Sequence, residues 1–131
     1  MPRATLQRTR LQATVQRLGN AAVVHLTGRL VRGEGCSHLR DVVLGEADAD
    51  LIVINLAQVD RVDAWGLGVL VRLREWARSK QITFKLMNTL NQVERVLRLT
   101  RLDHVFEFCS VREQFCLMHR ASNIPKQAAV A

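Results

Sequence analysis

A chain of 131 residues, 48% apolar and 24% charged, can bury one core but not two. It is too apolar to remain disordered. No stretch approaches the roughly 20 uninterrupted apolar residues of a membrane-spanning helix, and a net charge of +7 from 16 Arg and three Lys arrives without the aromatic platforms of a nucleic-acid binder.

In chain order, Met1–Arg10 reads as a basic leader, and Met1–Asn20 lacks the apolar centre of a secretory signal. Leu11–Leu18 alternates as a half-buried strand, Gly19–Asn20 is a turn, and Ala21–Thr27 is a second strand closing a hairpin, ended by Gly28. A helix follows around Cys36–Leu44, with Leu39, Val42 and Val43 on its apolar face. Leu51–Leu56 is a continuous apolar run, the mark of a strand covered on both faces. A loop, DRVDAWG, leads into a helix over about Trp65–Ser79 with Leu67, Leu70, Leu73 and Ala77 inward. Ile82–Met87 alternates as a strand. Thr89 has capping-box spacing and opens a helix to about Leu99. Val105–Phe108 is a short last strand. A second capping box at Ser110–Glu113 opens a helix with Val111, Phe115 and Met118 on one side. The tail from residue 121 has no periodicity. The order β-β-α-β-α-β-α-β-α predicts a single α/β domain over residues 11–120: a mixed, mostly parallel sheet of about five strands with about four helices.

The charge is unevenly spread. Residues 1–20 carry +4 through Arg3, Arg8, Arg10 and Arg17, whereas residues 21–60 carry −3. This fits a solubilising leader and wet helix faces better than one polyanion-binding face. An odd cysteine count points to reduced thiols and a cytoplasmic setting. Cys109, Cys116 and His119 fit no standard zinc spacing. His25 sits mid-strand among apolar neighbours and reads as structural. No phosphate-binding glycine signature, nucleophile elbow or paired carboxylates stand out. No enzyme, cofactor or metal is therefore expected.

The segment Leu51–Leu73 is the informative one. A buried strand leads through Asp63, a plausible N-cap, directly into an apolar helix. Gly66 and Gly68 cost propensity in its first turn. Two uses remain open: exposed N–H groups for a partner or an anion, or tight packing of helix on sheet.

Val53-Ile54-Asn55-Leu56, Val62-Asp63 and Gly66-Leu67-Gly68-Val69-Leu70 resemble the core motif of STAS domains, the bacterial anti-sigma factor antagonists and their relatives. Val24–Leu30 is similar to the family's second strand with its Gly-x-Leu, and Val93–Thr100 with Val105-Phe106 to its third helix and last strand. The resemblance implies a binding module for transcription regulation and signal transduction. In the family the antagonist docks on an anti-sigma factor, typically a serine kinase, which phosphorylates a hydroxyl residue between the motif's Asp and Gly. Here those two positions are Ala64 and Trp65, so no phosphoacceptor is expected. An acidic residue is replaced by Val31, and helix-ending glycines are missing at Lys80-Gln81 and Arg101.

The resemblance implies a partner surface of Asp63, Ala64, Trp65, Gly66, Leu67 and Gly68, with Gly28 and Arg29 beside it. Trp65 is an exposed anchor, a side chain folded over the sheet, or a plug against kinase docking. The expected partner is an anti-sigma factor or a related serine-kinase-like regulator. A lipid or anion transporter that uses the chain as an accessory subunit, touching the membrane indirectly, and a nucleotide ligand are the alternatives. No specific nucleic acid is expected.

Overall fold

The structure, a computed structural model, describes residues 10–117 and 119. Most of the expected leader and the expected tail therefore lie outside the described residues. Strand β1 (Gln12–Leu18) turns through Gly19 into β2 (Ala21–Leu30), and the two pair antiparallel with Val15 opposite Val24. Helix α1 (Glu34–Leu44), β3 (Leu51–Val62), α2 (Ala64–Ser79), β4 (Thr83–Met87), α3 (Asn91–Leu99), a 3-10 turn (Leu102–His104) and β5 (Glu107–Phe108) follow. A last helix, α4, covers residues 111–117. The sheet order is β1-β2-β3-β4-β5, parallel from β2 onward. This is the expected mixed α/β architecture.

Strand alternation sends side chains to two different cores. Val24, Leu26, Ile52, Ile54, Leu56 and Leu86 face α1, α2 and α3, where Leu39, Leu70 and Leu97 meet them. The opposite face carries a smaller cluster of Leu18, Ala21, Val23 and Val53, covered by Leu117 of α4. The continuous apolar run of β3 follows from this double cover.

Three expectations are corrected. Gly28 does not end β2: it takes φ 113° at a shift in register, and the strand runs on to the fully buried Leu30. Only glycine adopts that φ without strain, so the ladder survives the irregularity. The segment read as a loop after Leu56 is strand to Val62, because Val59 and Val62 are buried and pair along Gly28–Leu30. Thr89 forms no capping box; Leu90 is the N-cap of α3 and no side chain bonds there.

Helix α4 turns two of its apolar residues to solvent. Its capping box does form, with Ser110 and Glu113 exchanging backbone–side-chain bonds of 3.2 and 3.1 Å. Yet Val111 and Phe115 point outward, 84% and 70% exposed. The ion pair of Glu113 with Lys85 of β4 and the seat of Leu117 set the helix's phase instead. Met118 lies outside the described side chains.

The missing glycines have a visible consequence. Gln81 and Arg101 both sit in the left-handed region, at φ 61°. The helix ends keep the turn that glycine would favour, at a cost of about 1 kcal/mol each.

Candidate partner-docking site

Asp63 organises the site from the junction of β3 and α2. Its N–H donates to the Leu30 carbonyl at 3.2 Å, tying the end of β3 to the end of β2. One carboxylate oxygen accepts the Gly66 N–H at 2.8 Å, capping α2 as expected. The other accepts the Arg32 N–H at 3.1 Å. A single side chain thus fixes the helix start against the segment entering α1.

Gly66 is a packing device. A methyl group there would overlap the Leu30 carbonyl oxygen, and would lie 2.8 Å from its carbon and 2.9 Å from the Leu30 Cγ. This resolves one of the two uses left open above in favour of close approach of helix to strand. Gly68 differs: a methyl group on it would meet nothing within 4 Å. Two amides at the helix start are committed, Gly66 N–H to the Asp63 side chain and Leu67 N–H to the Asp63 carbonyl at 3.0 Å. With a carboxylate already seated there, the turn is poorly suited to an anion.

The expected partner surface is therefore partly interior. Gly28, Gly66 and Leu67 are buried and position the site without reaching solvent. Asp63, Gly68 and Arg29 are half-buried, and Ala64 and Trp65 are exposed. Trp65 stands 48% exposed, neither folded over the sheet nor free. The guanidinium of Arg32 lies over its ring, 5.1 Å from the centroid, a cation–π contact that holds the indole in place. Arg29 lines separate clefts, with Arg10 and Arg32 on one side and with Asp60 and Arg61 on another.

The sequence reading missed Arg32. It also missed a second face of α2: Trp65, Val69, Arg72 and Trp76 line one groove between α2 and α1. Their spacing of i, i+4, i+7 and i+11 is a helical face legible in the sequence. The heavier leucine stripe beside it drew the reading instead.

No nucleophile or acid–base pair is assembled here. Cys36 is buried under the site, and its thiol donates to the Val31 carbonyl at 3.1 Å. Burial and, next, the Asp63 charge push that thiol above its ordinary value, which leaves it unreactive. His25 is held on the other sheet face between Gln16 and Asn55, both at 2.9 Å. Asn55 Oδ1 accepts the Ala57 N–H, so its amide NH₂ faces the ring and His25 Nδ1 accepts. This is the structural histidine expected. Among the described residues, no three His, Cys, Asp or Glu gather to hold a metal, and no helix is long and apolar enough to cross a membrane.

Comparison with known proteins agrees with this architecture. Residues 13–112 match the family model described as "Mlab, STAS domain". No curated protein matches the chain. Among solved structures it is similar to an anti-sigma factor antagonist from Mycobacterium paratuberculosis, 19% identical with a TM-score of 0.69 over 81% of this chain and 92% of that one. It is similar to an anti-sigma-factor antagonist (STAS) domain protein from Planctomyces limnophilus, 18% identical with a TM-score of 0.63 over 85% and 97%. It is also similar to a sulfate transporter family protein from Wolinella succinogenes, 12% identical with a TM-score of 0.59 over 81% and 88%. At such identities these likenesses establish the fold. With the family model spanning most of the chain, from within β1 to the start of α4, the protein belongs to the STAS-domain family.

Proposed function

We propose that this chain is a protein-docking module of the anti-sigma factor antagonist kind, which engages its partner through Trp65 at the start of α2 and is not switched by phosphorylation there. The observation that carries the reading is a half-exposed tryptophan held by Arg32 on a capped helix start. Tryptophan is among the residues most enriched at interface hot spots, where binding takes it out of water. Ala64 and Trp65 carry no hydroxyl where family kinases place phosphate. The neighbouring anti-sigma factor antagonist structures support a kinase-like regulator as the partner class.

The test is affinity for the partner recovered from native lysate, measured for the wild type and Trp65→Ala together with the stability of each. Trp65→Ala is expected to weaken binding by about 30-fold, a cost of about 2 kcal/mol, with little loss of stability. Equal affinity with lost stability rejects the anchor role. Incubation with an anti-sigma kinase is expected to leave Asp63–Gly68 unmodified, and transfer of phosphate to this loop overturns the reading.

A second reading is an accessory subunit of a membrane transporter. It is favoured by the likeness to a sulfate transporter family protein. Gene neighbours encoding a transporter ATPase and permease, in place of a kinase-like ATPase and a sigma factor, decide for it.

A further inference from the structure

The chain has two tryptophans, and both line the groove between α1 and α2. Trp65 opens it at the start of α2. Trp76 closes it three turns later, its inner edge packed on the core. Eleven residues of helix separate them by about 16 Å. Val69 floors the groove, Leu44 at 37% exposure forms one wall, and the cavity between them holds about 250 Å³. Arg40 stands on the α1 rim and Arg72 on the α2 rim, both exposed. No acidic residue lines it. The nearest acid to Arg40 is its own neighbour Asp41, 3.8 Å away with both side chains mostly exposed, a pairing that costs little to exchange.

We infer that this groove is the seat of an acidic amphipathic helix of the partner, laid along α2 from Trp65 to Trp76 with carboxylates meeting Arg40 and Arg72. The inference rests on the docking reading above and deepens it, by extending the contact beyond the motif loop and stating the chemistry of the occupant. Three observations converge on it. The length suits about three turns of helix. Trp and Arg are the residues most enriched at interface hot spots. Both charged residues that line the groove are arginines, which steers and orients an acidic segment and disfavours a basic one.

The two tryptophans make the native protein its own reporter, since any occupant of the groove alters their emission. A displayed library of helical peptides about 16 residues long, just over four turns, is selected against the full chain. The expected result is enrichment of peptides with an apolar stripe flanked by Asp and Glu. They shift the tryptophan emission, bind at least tenfold more weakly to R40E/R72E, and weaken with Trp76→Phe and with added salt. Both arginines are exposed, so R40E/R72E is expected to melt as the wild type does. Selected peptides that are basic or neutral overturn the inference, as does failure to select any. Acidic peptides sensitive to Trp65→Ala but indifferent to R40E/R72E and Trp76→Phe overturn it while leaving the docking reading intact. Peptides that bind elsewhere and ignore Trp65 sink both. A concentration-dependent dimer that shifts the emission without peptide assigns the groove to a second copy of the chain and also overturns it.

Discussion

The start of α2 and the outer face of α4 both present large apolar side chains to water, and they are built in opposite ways. At α2, Trp65 is 48% exposed over a tied junction: Asp63 caps the helix and accepts the Arg32 backbone N–H, the Arg32 guanidinium lies over the indole, and Gly66 sits against Leu30. At α4, Val111 and Phe115 are 84% and 70% exposed on a helix attached, among the described residues, through the Glu113–Lys85 ion pair and the buried Leu117. Exposure is greater on α4, while the start of α2 is the more closely tied to its neighbours. A side chain that is already positioned loses less entropy on binding. Scaffolding therefore distinguishes a docking anchor from an apolar face, and exposed area alone does not.

The strongest way to break this contrast is to soften the α2 start. Gly66→Ala drives a methyl group into the Leu30 carbonyl and is expected to cost about 3 kcal/mol of stability, read from urea unfolding. Gly68→Ala, in the same helical turn but facing open space, is expected to stabilise by about 0.5–1 kcal/mol. If the two substitutions behave alike, the junction is soft and its rigidity explains nothing.

Removing the clamp comes next. Asp63→Ala deprives Gly66 N–H and Arg32 N–H of their acceptor and is expected to cost about 2 kcal/mol, with faster hydrogen exchange at both amides. Asp63→Asn keeps one acceptor oxygen and should lose about half as much. Unchanged exchange at Arg32 in Asp63→Ala would show that the link to the α1 approach carries no load.

Much of the contrast was readable before the structure, and its failures are instructive. Element order, the capped start of α2 and the inward leucines of α2 follow from periodicity and capping chemistry, which are local. The ends of β2 and β3 were missed because both depend on pairing between residues about 30 positions apart. Pairing overrides a glycine or a short polar run only once the partner strand is in place. The phase of α4 was not legible for a related reason. Val111, Phe115 and Met118 form a good apolar stripe, yet an ion pair to Lys85 and the seat of Leu117 turn the helix the other way. Within the site, residue types at Asp63 and Trp65 announced themselves. The burial of Gly28, Gly66 and Leu67 could not be read without knowing how closely α2 approaches β2. Arg32 was missed because its contact with Trp65 crosses two elements.

The attachment of α4 can be tested by pH. Its bond to Lys85, and next the Ser110 backbone N–H, hold the Glu113 carboxyl below the ordinary carboxylate value, while Glu113 holds Lys85 above the ordinary lysine value. A carboxyl depressed in the folded state stabilises above its unfolded value and loses that contribution as pH falls through the folded one. The raised lysine stabilises below its unfolded value and loses its contribution only as pH rises through the folded one. The pair therefore acts across neutral pH and fails first in acid. Amides of residues 111–117 are expected to lose protection as the solution is acidified below the carboxylate range, before those of β3. Glu113→Gln should remove this dependence at a cost of under about 1 kcal/mol, because the pair is partly exposed. Loss of protection in β3 together with residues 111–117 would mean that α4 and the sheet open as one cooperative unit.

The smallest effect expected is also the one that most directly tests the role of α4. Phe115→Ser replaces a ring that is 70% exposed with a polar side chain, and should change stability by no more than about 0.5 kcal/mol. Partner affinity should be unchanged, whereas Trp65→Ala weakens it. A drop of about 2 kcal/mol in stability would mean that the ring is buried in the working protein by chain outside the described residues or by a second copy. Dilution separates these, since a loss caused by a second copy diminishes as the wild type dissociates. A drop in partner affinity without a loss of stability would move the docking surface from the α2 start to the opposite face of the sheet. That result would show that exposed area outweighed pre-positioning in this protein.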